Sequence, residues 1–160
     1  MSNHHETIRD FYAAFTNHDA EAMARCYHSD IEFSDPVFGK LKGKTASDMW
    51  KMLIEKSKGS LKIEFSNINA DGDSGSAKWI AYYRFSKTNR DVANHIKAEF
   101  KFKDGLIIKH DDHFDLWKWS RQAFGFKGLL LGWSGFMQNK IKEQALLSLK
   151  NYQLKSKILL

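Results

Sequence analysis

Apolar residues recur at helical period in the first third of the chain and at strict alternation in the middle, and that switch predicts its architecture. Ile8, Phe11, Tyr12 and Phe15 lie three and four apart, behind an Asn3/Glu6 pair with the spacing of a helix cap. Asp19 is placed to cap a second, short helix with Met23, Cys26 and Tyr27 on its apolar side. The run Ile31 to Ser34 reads as a short strand that Asp35-Pro36 stops. Gly43 and a Thr45/Asp48 capping pair then open a third helix bearing Met49, Trp50, Leu53 and Ile54.

Beyond Gly59 the period falls to two. Leu61, Ile63 and Phe65 alternate with Lys62 and Glu64, and Asp71-Gly72 marks a turn. Ala77, Trp79, Ala81, Tyr83 and Phe85 form one face of a long strand, and Ile96, Ala98, Phe100 and Phe102 one face of the next. Asp104-Gly105 turns the chain into a fourth run, Leu106 to Leu116. Helices followed by a meander of antiparallel strands predict an α+β domain, with the helices covering one face of a bent sheet.

Composition narrows the class. The 160 residues suit one domain, 42% of them are apolar, and one proline argues against a linker-rich chain. A single cysteine, Cys26, excludes an internal disulfide framework and points to a reducing compartment. We read Cys26 as a core residue, because it falls on the packed face of its helix. No apolar run approaches the roughly 18 residues of a membrane span, and the N-terminus does not read as a signal peptide, so a cytoplasmic location is expected.

Charge is unevenly placed. Residues 127–160 carry six lysines and one glutamate, whereas residues 1–126 carry 19 basic and 18 acidic groups. A neutral body with a basic tail is not the pattern of a nucleic-acid-binding domain, and no nucleic-acid partner is expected.

Two segments carry a family resemblance. Ala13-Ala14-Phe15 and Asp19, leading to Asp35-Pro36-Val37, are similar to the N-terminal half of ketosteroid isomerases. His110-x-Asp112-x-x-Asp115, followed by a leucine- and glycine-rich stretch, resembles the SnoaL-like polyketide cyclases. Over about residues 4–124 the chain therefore resembles the nuclear transport factor 2-like superfamily. That resemblance implies a cone-shaped, mostly antiparallel curved sheet wrapped around three N-terminal helices, with a C-terminal helical extension. It divides the chain into a SnoaL-like domain, 1–126, and an extension, 127–160. It also implies an apolar pocket in the cone, a homodimer, and acid/base chemistry without a cofactor on an apolar carbonyl or epoxide substrate. A non-catalytic member of the same fold, binding an apolar ligand or acting as an adaptor, is the alternative.

The resemblance places Asp35 where ketosteroid isomerases carry their general base. From residue type alone, an aspartate before proline equally reads as a strand terminator that accepts backbone hydrogen bonds. The positions matching that family's enolate-stabilising donors are Phe11 and Ala98, and neither donates a side-chain hydrogen bond, which argues against steroid isomerisation. His110 and Asp112 lie two apart on one strand and share a face. They form either an imidazole base oriented by a carboxylate or a buried pair that fixes the strand. Asp111, His113 and Asp115 take the other face, so no three ligands converge and no metal is expected. Phe11, Phe15, Trp79, Tyr83, Ala98 and Phe100 are the expected pocket lining. The opposite face, with His95, Lys97 and Glu99 beside His113 and Asp115, is polar and self-complementary and suits a two-fold interface.

The extension has its own pattern. Trp133, Met137, Ile141, Ala145 and Leu149 fall four apart with lysines elsewhere, a basic amphipathic helix. It has three destinations: its own subunit, a partner subunit or an anionic membrane surface. Leu129-Leu130-Leu131 also needs cover, which favours docking against the protein.

Overall fold

A computed structural model describes residues 3–131 and 134–158 of the chain. Helix α1 (His4–Thr16) starts at Asn3, whose side chain accepts from the Glu6 amide, and α2 (Ala20–Arg25) starts at Asp19, which accepts from the Ala22 amide. Both caps satisfy amide groups that the first helical turn leaves without partners. Strands β1 (Tyr27–Asp35) and β2 (Gly39–Lys42) form a hairpin, followed by α3 (Lys44–Lys56). Strands β3 (Lys62–Asp71), β4 (Ser74–Phe85), β5 (Arg90–Lys103) and β6 (Leu106–His113) complete a six-stranded sheet in the order β2-β1-β6-β5-β4-β3. Neighbours are antiparallel except β1 and β6, which run parallel and bring Phe33 beside His110. The sheet is curved and unclosed, and α1 and α3 fill its concave side with Phe11, Tyr12, Phe15, Met49 and Trp50.

Alternation is obeyed where it was read. Ala77, Trp79 and Ala81 on β4 and Ile96, Ala98, Phe100 and Phe102 on β5 are all buried. On β5 and β6 the exposed His95, Lys97, Glu99 and His113 line the outer face, where His113 meets Glu99 at 3.2 Å.

Three boundaries differ from expectation. β1 begins at Tyr27, four residues before Ile31, because its polar N-terminal part pairs with β6 at Tyr27–Ile107. Helix α3 is not opened by a Thr45/Asp48 box. Its cap is Gly43, at φ 56° and ψ −134°, a conformation open to glycine and strained for other residues. Thr45 and Asp48 instead accept from Gln153 near the other end of the chain. Finally, the fourth strand stops at His113, and Asp115 caps a further helix, α4 (Leu116–Phe124), by accepting from the Lys118 amide. Asp115 is therefore not on the outer face of the sheet.

Two more helices follow, α5 (Phe126–Leu131) and α6 (Gly135–Ile158); Trp133 lies outside the described residues. α6 docks on its own subunit. Leu149 enters the main core, Ile141 joins a second apolar cluster with Val92, Trp119 and Ala123, and Gln153 donates to Asp48 at 2.9 Å. That second cluster caps the end of the cone, and Val37, Tyr83 and Phe114 touch both clusters.

Candidate functional site

The curved sheet holds two polar centres. The first is built on β6. His110 is 0% exposed, within an aromatic cage of Phe11, Phe33, Trp50 and Phe100 whose ring centres lie 4.6–5.9 Å away. Its Nδ1 lies 2.8 Å from the Tyr27 hydroxyl, and its Nε2 lies 2.9 Å from Asp112 Oδ1. Trp50 Nε1 donates to the Tyr27 oxygen at 2.8 Å, and Trp79 Nε1 donates to Asp112 Oδ1 at 3.3 Å. An indole N–H only donates, so the Tyr27 hydroxyl proton is free to go to His110 Nδ1. The imidazole then carries its proton on Nε2 and gives it to Asp112. Every hydrogen-bonding atom of the ring is engaged inside the protein. Burial, which outweighs the Trp50 bond, raises the Tyr27 pKa well above its ordinary value and keeps that hydroxyl protonated. The Tyr12 hydroxyl, buried beside this network, has no hydrogen-bond partner among the described residues.

The second centre is Asp35, the last residue of β1. It closes the hairpin opposite Gly39, and its Oδ1 accepts from the amides of Val37 at 2.9 Å and Phe38 at 2.6 Å. Pro36 pre-sets the turn that aims both amides at that oxygen. Among the described residues none hydrogen-bonds to Oδ2, and the residue is half-buried. Burial is the largest influence on this carboxyl and outweighs the Phe38 amide. With the Asp112 charge also nearby, it pushes Asp35 from 3.8 to about 7. The neighbouring Tyr83 hydroxyl accepts from Trp119 Nε1 at 2.6 Å, and burial raises it to about 12.

Asp35 and Tyr83 thus share one end of the cone under α4, while His110 and Asp112 stand deeper. Phe11, Phe15, Trp79, Ala98 and Phe100 pack into the main core, and Tyr83 is half-buried. Two clefts lie outside the cone, one on the outer sheet face at Glu64, Lys78, Ile80, His95 and Lys97 and one between α2, β1 and α3. Cys26 is half-buried at the end of α2, and burial pushes its thiol up to about 11, away from thiolate chemistry. Among the described residues no group of three or more His, Cys, Asp or Glu side chains is arranged to hold a metal ion. Tyr27, Trp50 and Trp119 were not anticipated as parts of either centre. Only Trp119 had a signal, the helical spacing of Leu116, Trp119, Ser120 and Ala123 behind Asp115.

A model of the SnoaL-like domain matches residues 8–110. The chain belongs to the SnoaL-like domain family. No curated protein matches it significantly. Solved structures are similar over most of the chain. TerC, co-crystallised with polyporic acid, is 16% identical with a TM-score of 0.65, over 75% of this chain and 97% of its own. Bal32a, from a soil-derived mobile gene cassette, is 20% identical with a TM-score of 0.65, over 76% and 97% of the two chains. An LEH-like epoxide hydrolase of M. tuberculosis is 21% identical with a TM-score of 0.57, over 81% and 90%. These likenesses establish the fold, and the chemistry rests on the residues of this SnoaL-like chain.

Proposed function

We propose that the protein is an acid/base catalyst acting on an apolar carbonyl or epoxide substrate, with Asp35 as the group that moves the proton. The observation that carries this reading is Asp35 itself. One oxygen is fixed by two amides, the other has no hydrogen-bond partner among the described residues, and the protonation midpoint lies near neutrality. A base with a pKa near working pH combines a useful ionised fraction with a useful proton affinity. On a ketone, Asp35 Oδ2 would take a proton from the carbon next to the carbonyl, leaving an enolate and a carboxylic acid, and then return it. On an epoxide it would take a proton from water as the water oxygen attacks a ring carbon and the ring C–O bond breaks, and then return that proton to the alkoxide, giving the diol. Val37, Tyr83 and Phe114 form the adjoining apolar wall. His110 and Asp112 enter this reading as a positioning pair: the ring holds Asp112, whose charge lifts Asp35. The polar outer face supports a homodimer, to be read from sedimentation of the full chain at micromolar concentration.

Hydrogen–deuterium exchange of apolar ketones in D2O, together with hydrolysis of apolar epoxides, tests the catalytic reading. Catalysis should rise through an apparent pKa near that of Asp35, and Asp35→Asn should remove roughly 10²–10⁴-fold of the rate. A wild-type protein inert on both panels, with Asp35 titrating near 4, would return it to the role of strand terminator. The filled interior gives one specific reason for a second reading, a member of the fold without chemistry, whether an adaptor or a binder of an apolar ligand at its surface. Saturable binding that Asp35→Asn leaves unchanged would favour it.

A further inference from the structure

The last helix is apolar on two sides, and only one of them is used. At about 100° per residue, Ile141, Ala145, Leu149 and Tyr152 share the side that enters the protein. On the opposite side, Phe136, Leu147, Leu154 and Ile158 stand 80%, 51%, 50% and 82% exposed. Lys140, Lys150 and Lys157 lie among them, all exposed, with Glu143 the one acidic side chain of α6. Lys142 and Lys155 flank the row, so five lysines face one glutamate along 24 residues. Packing against α3 and the second cluster explains the inner row. Nothing in the monomer's own packing accounts for the outer one.

We propose that the outward face of α6 docks on an anionic lipid bilayer. Charge decides between candidate occupants. A second copy laid antiparallel would set a lysine-rich row against the same row, with one glutamate per chain to offset the repulsion. An anionic lipid surface answers Lys140, Lys150 and Lys157 at once. The side chains suit it, because lysine stems lie along apolar surface while their ammonium groups reach the headgroups. The helix rests on the surface rather than crossing it, since no described helix is long and apolar enough to span a membrane. The inner face stays in the protein, so the domain is held against the bilayer through this single rigid helix. This inference concerns location and is independent of the chemistry proposed for Asp35.

Co-sedimentation of the full chain with phosphatidylcholine vesicles, with and without phosphatidylglycerol, tests it. Binding should require phosphatidylglycerol and disappear at high salt. The triple change Lys140→Gln, Lys150→Gln, Lys157→Gln should lower partitioning on the order of a hundredfold. Leu147→Gln with Leu154→Gln should also weaken it while leaving thermal unfolding in place, since both side chains are exposed. Absence of the full chain from the anionic vesicle pellet overturns the proposal. So does equal pelleting of both variants, which would place the contact elsewhere on the protein. Self-association in solution that the double leucine variant abolishes, without vesicle binding, assigns the face to a second copy and also overturns it.

Discussion

His110 and Asp35 are polar residues at neighbouring positions of the same sheet, yet their surroundings differ in kind. His110 has spent its hydrogen-bonding capacity on Tyr27 and Asp112 within a cage of aromatic rings. Asp35 has one satisfied oxygen and one open one, at the end of the cone where α4 and α6 close over the sheet. A satisfied network in a dry interior stabilises a unique arrangement. A carboxylate that burial penalises and that keeps lone pairs free is destabilising at neutral pH and available for proton transfer. On the proposed function, two buried ionisable groups of one sheet divide into a structural one and a reactive one. The count of unused hydrogen-bonding positions separates them.

The largest effect should come from dismantling the structural centre. His110→Ala leaves the Tyr27 hydroxyl and the Asp112 carboxylate without their shared partner and opens space in the cage. Loss of a partner from a buried charge-assisted network costs ~3–5 kcal/mol, readable as a shift of the urea unfolding midpoint. A loss below about 1 kcal/mol, the worth of one ordinary hydrogen bond, would mean that the network does not hold the core and would erase the contrast.

The reactive centre should behave with the opposite sign. Asp35 in the folded protein titrates near 7, above the unfolded value of 3.8, so the folded state holds its proton more tightly. The Asp35 contribution to stability is therefore greatest below about pH 4, falls as the unfolded chain ionises first, and levels off above about pH 7. Across that window the loss amounts to at most ~4 kcal/mol. Asp35→Asn keeps an oxygen for the Val37 and Phe38 amides but cannot ionise. The variant should match the wild type at pH 4 and exceed its stability at pH 8, when unfolding is measured by chemical denaturation at each pH. Parallel pH profiles for the two proteins would show that Asp35 is not penalised by burial.

The sequence exposed these two centres unequally. Asp35 was legible because a carboxylate before proline at a strand end has few conformational choices, and the turn follows from them. His110 and Asp112 were legible as a pair because alternation puts them on one face. The environment that decides their role was not. Tyr27 meets His110 across a separation of 83 residues, through the parallel pairing of β1 with β6, and no local spacing announces that register. Strands β4 and β5 were read correctly because both alternate without interruption. Helix α4 was lost to the strand before it, since Asp115 continues the alternation of charges while acting as a helix cap. In α6 the inner stripe was visible, but apolar residues on both sides blur the period, and packing alone shows which side is buried.

The smallest expected effect tests whether the mouth of the cone can be loosened without touching its core. Trp119 donates to the Tyr83 hydroxyl at 2.6 Å from a helix that Asp115 caps and that lies over Val92 and Phe85. Trp119→Phe retains an aromatic ring and removes only the donor. The cost should be ~0.5–1.5 kcal/mol, the net worth of one hydrogen bond. Its sharper consequence lies at Asp35. If α4 excludes water from that carboxyl, loosening the helix readmits water, and the Asp35 pKa moves down from about 7 toward its ordinary range. The His110 ring, held by Tyr27 and Asp112 and making no contact with Trp119 among its described partners, should keep its NMR shifts. Carbon-detected titration of Asp35 with parallel imidazole spectra reads both centres in one sample. A fall at Asp35 with His110 unchanged separates the mouth from the core. Matching changes at both would make them one cooperative unit, and the division drawn between a structural and a reactive group would no longer hold.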